Sequence, residues 1–338
     1  MERGLLLSST MRRWMVIASC LVAACGSTAP AADTSIPARP SGARPASRSA
    51  PETYALDALF LGDVARDGHA SPTAWERYGY DLDGLGTNAS SDDVCTLRAG
   101  APRATQTDGA GGVDNAFGAL VVPIGETAAG DALASAWETA AIRAGAWTLE
   151  LRFDDGLPSL ATDVVGIRGT VFVGAPLATP PALDETTDWP VLPSPVTWTN
   201  AYATGGTFVS EPSELVLPLD YGGVALPLAI HRAVVTFARD PGDPTRLVDG
   251  IIAGVLDTSE LVATVRRFAG AISPRLCGTP SDLVATEIER ASDILRDGTN
   301  APGVPCDAIS IGLGFTARRV ANPTSVAPAP PTPPNPCP

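Results

Sequence analysis

The sequence predicts a mainly β protein, an antiparallel β-sandwich with two or three peripheral helices. Three observations predict it. Apolar and polar residues alternate with period 2 in run after run, which marks strands with one buried face. Asp-Gly and Pro-Gly signals separate those runs. The composition, 45 % hydrophobic with 33 Gly and 32 Pro in 338 residues, combines ample core material with many turns.

Taken in order, Trp147, Leu149, Leu151 and Phe153 fall on one face, with Thr148, Glu150, Arg152 and Asp154 on the other, before the turn Asp155-Gly156. Val165, Ile167, Val171 and Val173 alternate with Arg168 and Thr170. Leu215, Leu217 and Leu219 follow, then Leu226, Leu228 and Ile230 leading into Ala233, Val235 and Phe237. Asp240-Pro-Gly-Asp-Pro244 breaks that run. Leu247 to Val255 is apolar, and Ile309, Ile311, Leu313 and Phe315 alternate with small residues. Such alternation favours antiparallel pairing with one wet face. Helices are expected over Gly130–Ala144, Thr258–Ala269 and Ser281–Leu295, the last with Ser281 as N-cap and Asp297-Gly298 as its stop.

The N-terminus carries a different signal. Arg12 and Arg13 precede the apolar stretch Trp14 to Ala24, which ends Leu-Val-Ala-Ala-Cys25. Residues 1–24 read as a secretory signal, with translation starting at Met1 or Met11. The stretch is too short to span a bilayer. Its end resembles the bacterial lipobox, and the resemblance implies lipidation of Cys25, a membrane partner reached through that lipid, and residence in the cell envelope. Gly26 after the cysteine points to the outer membrane under the enterobacterial rule. Residues 25–51 hold almost no large apolar side chain and are expected to form a disordered tether. A single β-rich domain is expected over 52–320, and a Pro-rich extended tail over 321–338.

All 23 basic residues are Arg, so lysine chemistry is excluded. A net charge of −14 argues against nucleic acid as a partner. Cys95, Cys277, Cys306 and Cys337 fit an oxidising compartment and allow three pairings. Cys277 with Cys306, flanking a predicted helix, and Cys95 with Cys337 is the expected set. No C-x-x-C spacing suggests zinc, and His69 and His231 lie far apart in sequence.

Residues 54–118 are dense in carboxylates, amides and glycine. Asp81, Asp83 and Asp92 occupy positions 1, 3 and 12 of an EF-hand-like frame with Gly86 at position 6. Leu85 at position 5 and Asp at position 12 argue against a true EF-hand. Two readings stand. Asp81, Asp83, Asp114 and Asn115 ligate a hard cation such as Ca²⁺, or the same residues make Asx-turns. The segments Leu59-Phe-Leu-Gly-Asp63, Trp75-Glu-Arg-Tyr-Gly-Tyr-Asp-Leu-Asp-Gly84 and Asp108-Gly-Ala-Gly-Gly-Val-Asp-Asn-Ala-Phe-Gly118 resemble those of a group of uncharacterised lipoproteins of myxobacteria. Ala291 to Gly298 and Cys306 to Phe315 share that likeness. It supports the lipoprotein reading and implies no activity.

Enzyme signatures are sparse. G-x-S-x-G, H-E-x-x-H and G-x-G-x-x-G are missing from the sequence. His231 reads as structural, beside an apolar strand, and His69 as exposed in a turn. Trp189, Trp198 and Tyr202 lie in a Pro-rich stretch, where they would form either a ligand-stacking platform or edge packing. A binding or structural module holding an envelope glycan, a protein or Ca²⁺ is therefore the expected function. A glycan-acting hydrolase with paired carboxylates is the alternative.

Overall fold

A computed structural model describes residues 34–44, 49–129, 134–221, 223–335 and 337. The protein is mainly β. The described strands are β1 (Glu52–Phe60), β2 (Thr148–Phe153), β3 (Val164–Gly174), β4 (Val196–Thr204), β5 (Thr207–Val209), β6 (Ser213–Tyr221), β7 (Val224–Arg239), β8 (Arg246–Asp257) and β9 (Ala308–Val320). They form one antiparallel sheet in the order β5-β4-β3-β2-β1-β9-β8-β7-β6, with a further pairing of β5 to β7.

That last pairing closes the sheet on itself as a ring, β5-β4-β3-β2-β1-β9-β8-β7 and back to β5, with β6 paired to β7 outside the ring. The N-terminal half of β7 pairs with β6, from Tyr221↔Val224 to Ser213↔Ala233, and its C-terminal half with β5, from Val209↔Thr236 to Thr207↔Ala238. Between the halves the register against β8 slips, and Arg232 takes a φ of 54°. A bulge of this kind bends a strand and increases its twist. Gly254 on β8 accommodates it, since a Cβ there would stand 2.7 Å from the His231 carbonyl oxygen.

The folded sheet brings opposite walls into contact. Phe153 on β2 meets Phe237 on β7 at 5.9 Å between ring centres, although these strands are not hydrogen-bonded neighbours. Phe208 stacks on Phe237 at 4.6 Å and meets Phe153 edge-on at 5.3 Å. Fully burying each such ring is worth about 1.5–3 kcal/mol, so this cluster ties three strands distant in sequence.

Among the described residues, four helices lie outside the sheet: α1 (Val122–Ala129), α2 (Ala134–Ala144), α3 (Thr258–Ile272) and α4 (Thr279–Arg290). A short π-helical stretch, Phe117–Val121, leads into α1. The Asp257 side chain caps α3 by accepting from Glu260 N–H. Helix α4 starts at Thr279 behind Gly278, and Ser281 is not its cap. It ends at Arg290, five residues before the expected end at Leu295, because the next residues turn into the sheet. Ile294 bridges Ala308, and Asp293 accepts from the backbone and hydroxyl of Ser310. No helix among the described residues is long and apolar enough to cross a membrane.

The outer face of the sheet is not simply wet. The small residues Gly312 and Gly314 of β9 let the segment around Tyr78 lie flat on it. A Cβ at Gly312 would stand 2.0 Å from the Tyr78 carbonyl oxygen. Tyr78, Phe60, Val64 and Ile251 form a second apolar cluster beneath that segment. Farther along, residues 175–192 and the C-terminal tail cover β1 and β2. Ala321 N–H donates to Thr187 O, Val191 N–H to Ser325 O and Ala327 N–H to Val191 O.

The cysteine pairing differs from the expected set. Cys95 bonds Cys306 and Cys277 bonds Cys337, with Cα separations of 5.1 and 5.3 Å. Cys306 begins the approach to β9 and is held beside residue 95 by Thr96 N–H to Val304 O and Cys306 N–H to Thr96 O. Cys277 follows α3, where the tail returns: a Cβ at Gly270 would stand 2.5 Å from Cys337 Sγ. The tail is stapled, but to the helical side. Within the stretch read as a tether, Thr34–Arg44 lies against the domain. Asp81 N–H donates to Thr34 O, and Arg39 donates to Asn200 O at 2.7 Å. Cys25 and the signal segment fall outside the described residues.

Candidate functional site

The acidic loops between β1 and the first helices converge where the sequence placed them. Asp81, Asp83 and Asp114 present carboxylate oxygens that all lie within 4.8 Å of one another. Turn chemistry positions Asp81 and Asp83, and a bond from a distant backbone N–H positions Asp114. Gly84 N–H donates to Asp81 Oδ1 at 2.7 Å and Leu85 N–H to Asp83 Oδ1 at 2.8 Å, which are Asx-type bonds. Leu82 N–H donates to Asp114 Oδ2 at 2.6 Å, and Asn300 Nδ2 to Asp83 Oδ2 at 2.5 Å. Both readings of these residues thus meet in one place. These bonds hold the carboxylates, and the held carboxylates crowd together.

Crowding has an electrostatic consequence. Burial pushes the Asp114 carboxyl up to about 9, and the negative charges of Asp83, Asp293 and Asp108 push in the same direction. Asp108 rises to about 6, first through burial, against the opposing hydrogen bonds from Thr87. Asp293, wholly buried beneath Ser310, rises to about 7, again through burial first. A divalent cation would relieve this repulsion, and Ca²⁺ favours oxygen ligands from flexible loops. The Leu85 carbonyl and Asp81 Oδ2 face the same side of Gly112, at 3.4 and 3.5 Å from the position of a Cβ there.

Asn115 does not join this set. Its Nδ2 donates to Tyr78 O and Gly312 O, each at 2.9 Å, and its Oδ1 accepts from Gly118 and Gly312 N–H, each at 3.0 Å. An amide so engaged locks the loop to β9 and has no lone pair to offer a metal. Asp108 and Asp293, which sequence reasoning passed over, belong to the acidic group instead. Asp293 sits in the Ala291–Gly298 segment, and its signal was an acid just after a helical stripe.

The aromatic platform is not formed. Trp189 is fully buried and donates from Nε1 to Ala175 O at 2.6 Å. Trp198 is 2 % exposed and packs on Phe208. Tyr202, 9 % exposed, donates to Pro37 O and carries Arg39 over its ring. These rings are packing elements because the Pro-rich stretch that holds them folds onto the sheet as cover and as β4. Beneath it, Glu150 on β2 is buried with neither carboxylate oxygen hydrogen-bonded, and desolvation raises it to about 8.

The two histidines divide as expected. His69 is exposed beside Asp67. His231 is bracketed by Glu260 at 2.7 Å and by Glu214. Burial lowers its pKa, but the hydrogen bond to Glu260 and the charges of Glu214 and Glu260 outweigh that and raise it above the ordinary imidazole value. No protein-family model, curated protein or solved structure matches this chain.

Proposed function

We propose that this chain is a cell-envelope binding module, carried on a lipid at Cys25, whose acidic loops close around a divalent cation such as Ca²⁺. One observation supports the cation reading above all. Three carboxylates, Asp81 and Asp83 aimed by turns and buried Asp114 by the Leu82 N–H, lie within 4.8 Å of one another. Crowded carboxylates raise one another's cost of ionisation, and a bound cation converts that cost into affinity. The lipoprotein reading is supported by the lipobox-like Leu-Val-Ala-Ala-Cys25, by two disulfides suited to an oxidising compartment, and by the likeness to myxobacterial lipoproteins.

Thermal unfolding of the oxidised protein in millimolar Ca²⁺ and in chelator tests the cation. Saturation at about 100 times the dissociation constant stabilises by about 2.7 kcal/mol, a rise of several degrees for a domain of this size. The rise should vanish in Asp83→Asn and persist in Asp92→Asn. An unchanged melting temperature in the parent protein refutes the cation. Intact mass of membrane-extracted protein tests the anchor, and an unmodified Cys25 refutes it.

A further inference from the structure

A second feature, separate from the acidic loops, is a pocket of about 260 Å³ on the helical side of the fold. It is a partly open pocket lined by α1 and α2, by the β6–β7 hairpin, and by α3 and α4. Leu228, Leu261, Val265, Ile272 and Ile288 give it an aliphatic wall. Well-packed interiors hold few voids larger than one water. Water entering this pocket finds few polar partners, because the lining is overwhelmingly apolar, so an apolar ligand that displaces it is favoured.

The few polar groups are informative. Glu138 on α2 is 3 % exposed and lines the cavity. Its Oε2 accepts from Trp147 Nε1 at 3.2 Å and Asp220 N–H at 3.1 Å, whereas its Oε1 has no hydrogen-bond partner among the described residues. The Tyr221 hydroxyl, also in the wall, has none either. Gly125 makes room for that hydroxyl, since a Cβ there would stand 1.9 Å from it. Trp137 and Tyr221, 6.1 Å apart between ring centres, flank the same corner. The lining holds three acids, Glu126, Glu138 and Asp220, and no basic side chain. An anionic ligand would meet repulsion and no basic partner.

We infer that this cavity binds one uncharged aliphatic chain, a neutral amphiphile whose oxygen meets Glu138 Oε1 and the Tyr221 hydroxyl. Liquid water takes about 30 Å³ per molecule and a methylene is of similar size, so the space suits a chain of about eight to ten carbons. Burial raises Glu138 to about 8 and Tyr221 to about 12, so both groups are protonated at neutral pH and each can donate to a hydroxyl, ether or carbonyl oxygen. The inference stands apart from the cation reading and from the lipid at Cys25.

Isothermal titration of the oxidised full chain at pH 7, with chelator present throughout, tests it. 1-Decanol should bind one to one, and decanoate at least tenfold more weakly. Val265→Phe and Ala134→Phe each place a ring in the cavity. Each should weaken decanol binding at least tenfold while keeping the near-ultraviolet circular dichroism of the parent. Absence of decanol binding, equal affinity for decanol and decanoate, or undiminished binding in the folded filled variants would overturn the inference. The comparison of the two ligands on the parent protein decides the matter even where a variant fails to fold.

Discussion

The acidic loops and the covered face of β2 both bury carboxylates, and they handle them in opposite ways. In the loops, Asp81, Asp83, Asp108 and Asp114 each accept hydrogen bonds from nearby backbone N–H groups or side chains, and neighbouring acids add much of the strain. On β2, Glu150 has no donor at all, lies under the 175–192 cover near Trp189, and is raised mainly by desolvation. A cation can discharge the first situation. Only protonation or exposure can relieve the second. Similar pKa values, about 9 for Asp114 and about 8 for Glu150, thus conceal different physics.

Breaking the covalent support of one region gives the largest expected effect. Cys95–Cys306 spans 211 residues and ties the acidic loops to the entry of β9. Its replacement by two serines should cost about 2–5 kcal/mol. Hydrogen exchange should rise through residues 81–115 while β2 stays protected. Equal loosening of both regions would show that they are one cooperative unit.

Glu150→Met sharpens the other side of the comparison. Because the folded pKa lies above the ordinary 4.5, the stability associated with Glu150 is complete below about 4.5 and lost as pH rises through about 8. The parent should therefore lose up to about 1.4 kcal/mol per pH unit across that window on this account. Chemical unfolding at pH 5 and pH 8.5 should show the variant gaining on the parent only at the higher pH. A gain of the same size at both would assign the effect to packing rather than charge.

The loops should respond to pH and cation together. Asp108, Asp114 and Asp293 are all raised, so without Ca²⁺ they too favour acid pH, losing stability as pH climbs through about 6 to 9. With Ca²⁺ bound that loss should shrink by about half, as seen in melting temperatures from pH 5 to 9. The Glu150 contribution should persist unchanged. A cation that flattened the profile completely would mean that Glu150 is not the independent group described here.

The smallest effect belongs to His231. Its raised pKa means its ion pairs stabilise fully below the unfolded value near 6.5 and fade as pH rises through the folded one. His231→Gln should cost about 0.5 kcal/mol at pH 6 and close to nothing at pH 9, measured by the same unfolding curves.

Much of the sheet was legible. The alternation of Trp147 to Phe153 and of Ile309 to Phe315 marks β2 and β9, because a strand with one core-facing side must repeat every second residue. Strands β1, β4 and β5 were not recognised. In β1, residues Thr53 to Phe60 are all buried, so the segment reads as a continuous apolar run with one acid, not as an alternation. β4 and β5 sit in or beside a Pro-rich stretch whose turn signals mask them. Glu138 was readable as an acid on the buried stripe of α2, three and four residues from Ser135 and Ile142. Its place in a pocket wall was not readable, because that wall is assembled from elements spread between Leu61 and Ile288.

What the sequence alone determined is local. Period-2 patterning set the strand class, Asp and Gly at fixed offsets set the turns, and four cysteines beyond residue 25 set the expectation of two bridges. Which cysteines meet, which acids share one space and which aromatic rings are covered were decided by the tertiary structure. The bulge at Arg232 and the pairing of β5 with β7 fold the sheet on itself and bring Phe153 to Phe237. The glycines of β9 then admit the loops that carry Cys95 and Asp114. Those outcomes depend on closure and on close approach of distant backbone, and no local pattern encodes either.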